Sequence, residues 1–227
     1  MKKIDLCAAH GERAVAFGRI LMCCLIFCML LSAVPAGVAA ASEVVSFPDA
    51  SLEAAVRDAL GKPGGDITAD DMATLDILDA DDEEISELSG LEYAVNLRVL
   101  DLESNEIGDL GPLVNLTGLR DLDLESNEIG DLGPLANLTG LRDLDLESNE
   151  ISDLGPLANL TGLRDLDLES NEIGDLSPLV ANSGLGPGDS VDLRRNYLDL
   201  TPGSAAMSDI ETLEKRGVDV RYIPQHR

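Results

Sequence analysis

A chain of 227 residues has room for one ordinary domain or one short repeat array. Its formal net charge of −27 makes nucleic acid and anionic membrane surfaces poor partners, because both are held by lysine and arginine. All four cysteines, Cys7, Cys23, Cys24 and Cys28, fall near the start, so no disulfide or cysteine-based zinc site can form in the rest of the chain.

Residues 1–41 read as an export signal. Lys2, Lys3, Arg13 and Arg19 precede or open an apolar run, Ile20–Val34, broken only by Ser32, and the small residues Gly37–Ala41 then suit cleavage. The alternative is a retained membrane anchor, since Ile20–Ala41 is long enough to span a bilayer. Residues 42–74 predict a helical N-terminal cap. A helix is expected over Phe47–Gly61, with Asp49 placed to cap it and Leu52, Ala55, Val56, Ala59 and Leu60 on one face. A second short helix is expected from Thr68, with Asp71 completing a weak capping box. Residues 75–200 form the repeats, and residues 201–227 predict a helix near Met207–Arg216 and a strand over Val218–Ile223 that close the other end.

The repeats dominate the chain. Leu119–Gly140 reads LRDLDLESNEIGDLGPLANLTG, and Leu141–Gly162 repeats it with Ser152 in place of Gly130. Leu97–Gly118 and Leu163–Gly184 keep the same frame, Leu75–Asn96 keeps it imperfectly, and a degraded sixth unit retains Val191, Leu193 and Asn196. A fixed period of this length is the mark of a solenoid. Leu122 and Leu124 alternate with Asp121, Asp123 and Glu125, which is strand periodicity. Asn105, Asn127, Asn149, Asn171 and Asn196 are expected to form an inward ladder, because an amide can both donate to and accept from buried backbone groups. Pro134 and its copies predict turns or 3₁₀ helix in the return segment rather than long α-helix. The expected fold is an α/β repeat solenoid with one parallel β-sheet.

These residues resemble the leucine-rich-repeat family, specifically the 22-residue class of bacterial internalins. The Leu and Asn positions above carry the resemblance, together with Asp131, Pro134 and Leu135 and their copies, such as Asp153-Leu154-Gly155-Pro156-Leu157. The resemblance implies a horseshoe with a curved, concave parallel sheet, short convex segments and a helical N-terminal cap. It also implies protein binding on the concave face, and it implies no catalytic residues.

The exposed strand positions should then form columns across the units. One is Asp79, Asp101, Asp123, Asp145, Asp167 and Asp192. A second is Ile77, Val99, Asp121, Asp143 and Asp165. A third is Asp81, Glu103, Glu125, Glu147 and Glu169, turning basic at Arg194. Of these, Asp101, Glu103, Asp121, Asp123, Glu125, Asp143, Asp145, Glu147, Asp165, Asp167, Glu169 and Arg194 are the candidate binding residues, and the expected partner is a protein, basic if charge decides. Like charges on neighbouring strands destabilise a sheet, so something is expected to offset them. The candidates are Arg98, Arg120, Arg142 and Arg164 along the sheet edge, bulk salt, or calcium held between Asp123, Asp145 and Asp167. The calcium option defines an alternative function, a cation-stabilised acidic scaffold, although none of the established calcium loop motifs occurs. No other cofactor is expected. Ile77 and Val99 at one end, and Arg194, Arg195 and Tyr197 at the other, are the expected anchors for a partner. The Asn-Leu-Thr triplets at Asn115, Asn137 and Asn159 follow from the repeat. The grid of near-identical acids lacks the two differentiated carboxyls that glycoside hydrolysis needs. With no cysteine and no placed histidine after the signal, an enzyme is not expected.

Overall fold

The computed structural model describes residues 42–226; the expected export signal lies outside them. Among the described residues no helix is long and apolar enough to cross a membrane. Seven strands form one parallel sheet in chain order: β1 (Ile77–Asp79), β2 (Val99–Asp101), β3 (Asp121–Asp123), β4 (Asp143–Asp145), β5 (Asp165–Asp167), β6 (Ser190–Asp192) and β7 (Asp219–Arg221). The period sets the register, so each strand residue lies beside its own copy: Leu100 beside Leu122, Leu122 beside Leu144, Leu144 beside Leu166. These leucines, with Leu124, Ile129, Leu132, Leu135 and Leu138 and their copies, run through one continuous buried core.

Strands β2 to β5 end where a serine turns the chain. Ser104, Ser126, Ser148 and Ser170 adopt φ of +56° to +58°, with Arg195 at +52° in the sixth unit. A left-handed residue other than glycine costs about 1–2 kcal/mol, but here it frees the serine N–H to bond the next unit, as from Ser126 to the Glu147 carbonyl at 2.8 Å. It also turns the following asparagine inward. The Asn149 amide nitrogen donates to the carbonyls of Leu124, Leu146 and Glu147 at 2.8–3.2 Å, while its oxygen accepts the Ile129 N–H at 3.0 Å. Asn105, Asn127, Asn171 and Asn196 repeat this pattern, so each asparagine straddles two units.

The return segments are 3₁₀ turns such as Gly133–Leu135, with Pro134 in the first turn. From the second unit to the fifth, each start is fixed by an aspartate two residues before it: Asp131 Oδ1 accepts the Gly133 N–H at 2.8 Å. The fifth unit differs. There Ser177 replaces glycine and the chain runs on as Leu-Val-Ala, giving a short α-helix over Ser177–Ala181, because a residue of better helix propensity replaces glycine at the start. Glycine is required where units meet: a Cβ on Gly162 would lie 2.7 Å from the Leu141 carbonyl oxygen and 2.9 Å from that of Thr139.

The N-terminal cap is as expected except at its start. Helix α1 spans Ala50–Ala59, later than Phe47, because Asp49 stands outside it as the cap, accepting the Ser51 and Leu52 N–H groups. The other Asp49 oxygen accepts the Ser86 N–H at 2.9 Å and so ties the helix to the first repeat. Helix α2 (Ala69–Met72) has the Thr68–Asp71 capping box. At the other end a helix over Ala205–Arg216 covers the core, and the Arg216 guanidinium donates to the Val180 and Asn182 carbonyls.

The segment read only as a closing strand is in fact a seventh ladder position. Val220 pairs with Val191 as a repeat leucine would. Five residues on, the Gln225 amide donates to the Leu193 and Tyr222 carbonyls at 2.8 and 2.6 Å and accepts the Leu198 N–H at 3.1 Å. Those are the partners an asparagine has in the earlier units. Glutamine in place of asparagine, within Tyr-Ile-Pro-Gln, hides the match in the sequence.

Replacing Asn149 with alanine strands buried backbone groups in two units, so a loss of about 3 kcal/mol is expected in urea unfolding; Gln225→Ala, at the array's end, should cost about 1 kcal/mol.

Candidate functional site

The register places the acidic residues in columns on the outer strand face. One column runs Ile77, Val99, Asp121, Asp143, Asp165, Ser190, Asp219, and the next runs Asp79, Asp101, Asp123, Asp145, Asp167, Asp192, Arg221. Together the strands β2 to β7 line a groove of about 500 Å³.

The two aspartate columns are not equivalent. Asp101, Asp123, Asp145 and Asp167 each accept the N–H of the residue two further on, at 3.1, 3.0, 2.9 and 2.8 Å. These bonds hold the strand end that the left-handed serine would otherwise leave open, so this column belongs to the fold. Asp121 and Asp143 make no such bond among the described residues, and Asp165 accepts only the Ser190 hydroxyl, at 2.6 Å. The backbone therefore needs the second column and not the first. Spacing alone does not reveal this, because both columns recur at the same period; the Asp-x-Glu-Ser-Asn run, with a residue able to form an Asx turn two before each bonded N–H, is the signal that marks it.

Burial, and after it the neighbouring charges, raises the acids' affinity for protons. Asp145 is pushed up to about 6, first by burial, against which its bond from the Glu147 N–H acts, and then by the carboxylates of Asp167 and Asp123. Glu125 is pushed up to about 7, again by burial first and then by Glu147 and Glu103. Asp123, Asp143, Glu147, Asp167 and Glu103 move in the same direction, each with burial as the largest cause.

Compensation comes at one end. The Arg194 guanidinium grips Asp192, with Nε 2.9 and 2.8 Å from its two oxygens, and also pairs with Glu169. Arg195 lies 3.3 Å from the other Glu169 oxygen. Glu169 and Asp192 are thereby buried, 4% and 5% exposed. Glu169, expected among the binding residues, is enclosed in this cluster, and Arg194 is engaged in closing the face. The arginines of the sheet edge do not play the role expected of them. Arg98 pairs with Asp76 and Arg164 with Asp189, while no ion pair among the described residues involves Arg120 or Arg142. Both lie instead in a separate edge hollow with Thr117, Gly118, Thr139 and Gly140. The acids that draw closest are also not the trio named for calcium. Asp101, Glu103 and Asp123 place one oxygen each within 4.8 Å of the others. The apolar end of the first column is open, with Ile77 58% exposed.

Seven parallel strands, the first five joined by 3₁₀ turns and the last two reached through α-helices, around stacked leucines and asparagines define a leucine-rich-repeat solenoid. A family model described as leucine-rich repeats (two copies) matches residues 95–137 and 139–181. Among solved structures, an internalin (inlF) from Listeria monocytogenes is 28% identical over 84% of this chain and 60% of its own, with a TM-score of 0.61. An internalin C2 from the same organism is 29% identical over 78% of this chain and 87% of its own, with a TM-score of 0.55. The chain is an internalin-like leucine-rich-repeat protein, and it spans 60% of the length of the first of these relatives. No curated protein matches its sequence.

Because folding raises these carboxyl groups, the folded chain binds more protons than the unfolded one between the ordinary carboxylate range and about pH 7. Stability contributed by the protonated acids is present at low pH and lost as pH rises through about 6 for Asp145 and about 7 for Glu125. The thermal midpoint is therefore expected to be higher at about pH 5 than at about pH 8, and Glu125→Gln should flatten that difference in a melt followed by circular dichroism.

Proposed function

We propose that the protein is an exported interaction module that presents its acidic strand face to a protein partner. The observation that carries this is the column Asp121, Asp143 and Asp165. These charges stand in line on a groove and accept no backbone N–H, and only Asp165 bonds a neighbouring strand, through the Ser190 hydroxyl. Their mutual repulsion persists at every step, at about 1 kcal/mol per adjacent pair in a water-like dielectric. A partner that covers them with opposite charge relieves that repulsion. The internalin likeness supports an interaction role over catalysis, and the acids lie in a repeating grid with no differentiated acid and base. Export rests on residues 1–41: their deletion should leave the protein in the cytoplasmic fraction, whereas the full chain should reach the membrane exterior or the medium.

Cross-linking capture with the wild-type chain and with Asp121→Lys/Asp143→Lys tests the face. The variant leaves the Asp123-type bonds intact, so it should fold and lose the partner; recovery of the same partner by both forms refutes the acidic face as the binding surface.

A second reading, a calcium-stabilised scaffold, is favoured only by the approach of Asp101, Glu103 and Asp123. If cations hold these columns together, calcium should raise the thermal midpoint above that in magnesium at equal ionic strength, and Asp101→Asn/Asp123→Asn should abolish the difference. Equal midpoints in the two salts dispose of this reading.

A further inference from the structure

We infer that the occupant of the strand face is a basic helix bound in one direction, with an apolar residue in its first turn seated on Ile77 and Val99. This rests on the reading of the strand face as the partner-binding surface and adds the partner's chemistry, conformation and polarity.

Three features set these. The first is the change of chemistry along a single column. Ile77 and Val99 occupy the register positions that Asp121, Asp143 and Asp165 take in the next three units. Ile77 is 58% exposed and shares a hollow with Ala55 and Ala59 of α1. Along this column a cationic side chain over either of the first two strands would meet hydrocarbon, with Asp79 and Asp101 only in the neighbouring column, so the column itself fixes where an apolar contact gives way to charge.

The second is spacing. Acids recur across the sheet about every 4.8 Å. A helix brings a side chain to the same face about every 5.4 Å, so over two steps it drifts by about 1.2 Å, within the reach of a flexible lysine. An extended chain presents same-face side chains about every 6.6 Å and drifts by about 3.6 Å over the same distance. The helix fits and the strand does not. Ile77 to Asp165 is four strand steps, about 19 Å, which about 13 helical residues cover.

The third is the field at the two ends. Asp58, Asp79 and Glu83 surround the hollow at Ile77. At the opposite end the second aspartate column finishes on Arg221, which lies in the groove lining 4.0 Å from both Asp192 and Asp219, so that this end is balanced in charge rather than acidic. A helix carries positive charge at its N-terminus and negative charge at its C-terminus. Its N-terminus therefore belongs at the acidic Ile77 end, and its C-terminus points towards the charge-balanced end at Arg221, two strands beyond Asp165.

The test uses fluorescence anisotropy of a synthetic labelled helical peptide at physiological salt. The peptide has leucine in its first turn and one lysine in each later turn, and the control is the same sequence written backwards. The forward peptide should bind the wild-type chain, and the reversed one about tenfold more weakly. Ile77→Ser should weaken the forward peptide about tenfold and leave the reversed one unchanged. Asp143→Asn/Asp145→Asn should weaken both by about tenfold; asparagine keeps the acceptor that position 145 offers to the Glu147 N–H, so the fold is retained. Equal binding of the two peptides overturns the direction and the apolar seat while leaving the acidic face standing as the binding surface. Binding that ignores the double asparagine variant, or no binding of the forward peptide at all, overturns the inference; the cross-linking experiment with Asp121→Lys/Asp143→Lys then decides separately whether the face binds any partner.

Discussion

In a solenoid of near-identical units, the nearest cross-strand neighbour of almost every side chain is its own copy, about 4.8 Å away. That constraint orders everything else in the molecule. Leucine beside leucine is favourable, and the stacked leucines bury an unbroken core. Asparagine beside asparagine is favourable for a different reason. An amide has both a donor and an acceptor, so a column of them can pass hydrogen bonds from one unit to the next without leaving any unpaired. Aspartate beside aspartate is unfavourable, because both members of the pair only accept. The same translation that solves the interior creates the difficulty on the face.

The protein answers that difficulty locally. One aspartate column is put to use by accepting the N–H groups of the glutamates that immediately precede the left-handed serines. The acidic run is closed at the sixth unit by Arg194, which takes two carboxylates at once. The remaining column begins as isoleucine and valine and becomes aspartate only from the third strand. The face is therefore graded from apolar through acidic to basic, although the units behind it are nearly the same.

Periodicity made the solenoid legible in the sequence, because Leu-x-x-Leu-x-Leu-x-x-Asn states both the strand and the inward turn. Asp49 and Thr68 announced their helices for an equally local reason, each being a side chain that bonds its own neighbours. What the sequence hid depends on contacts between units. Gln225 has no leucine run before it, so its place in the ladder emerges only once Val220 is seen beside Val191. The division of labour between Asp121 and Asp123 is hidden likewise, since both are aspartates of the same period and differ only in which backbone group lies within reach. Arg120 and Arg142 look like counterions in the sequence because they adjoin the acids, yet their side chains leave the sheet at its edge.

The asparagine ladder gives the array a direction. Each asparagine holds groups of the unit before it as well as its own, but the first unit has Glu83 where an asparagine would stand, and that side chain is exposed. No ladder asparagine therefore reaches into the N-terminal cap; that junction is made by Asp49, which holds the start of α1 with one oxygen and Ser86 with the other, by the Asn96 amide donating to the Ala73 carbonyl, and by Leu52, Val56 and Met72 in the shared core. At the far end Gln225 continues the chain of brackets. Under load the two ends should therefore yield differently: a pull on the C-terminal side must break a ladder amide before it frees a unit, whereas a pull on the N-terminal side is resisted by the packed cap helices and by Asp49 and Asn96 at the first junction.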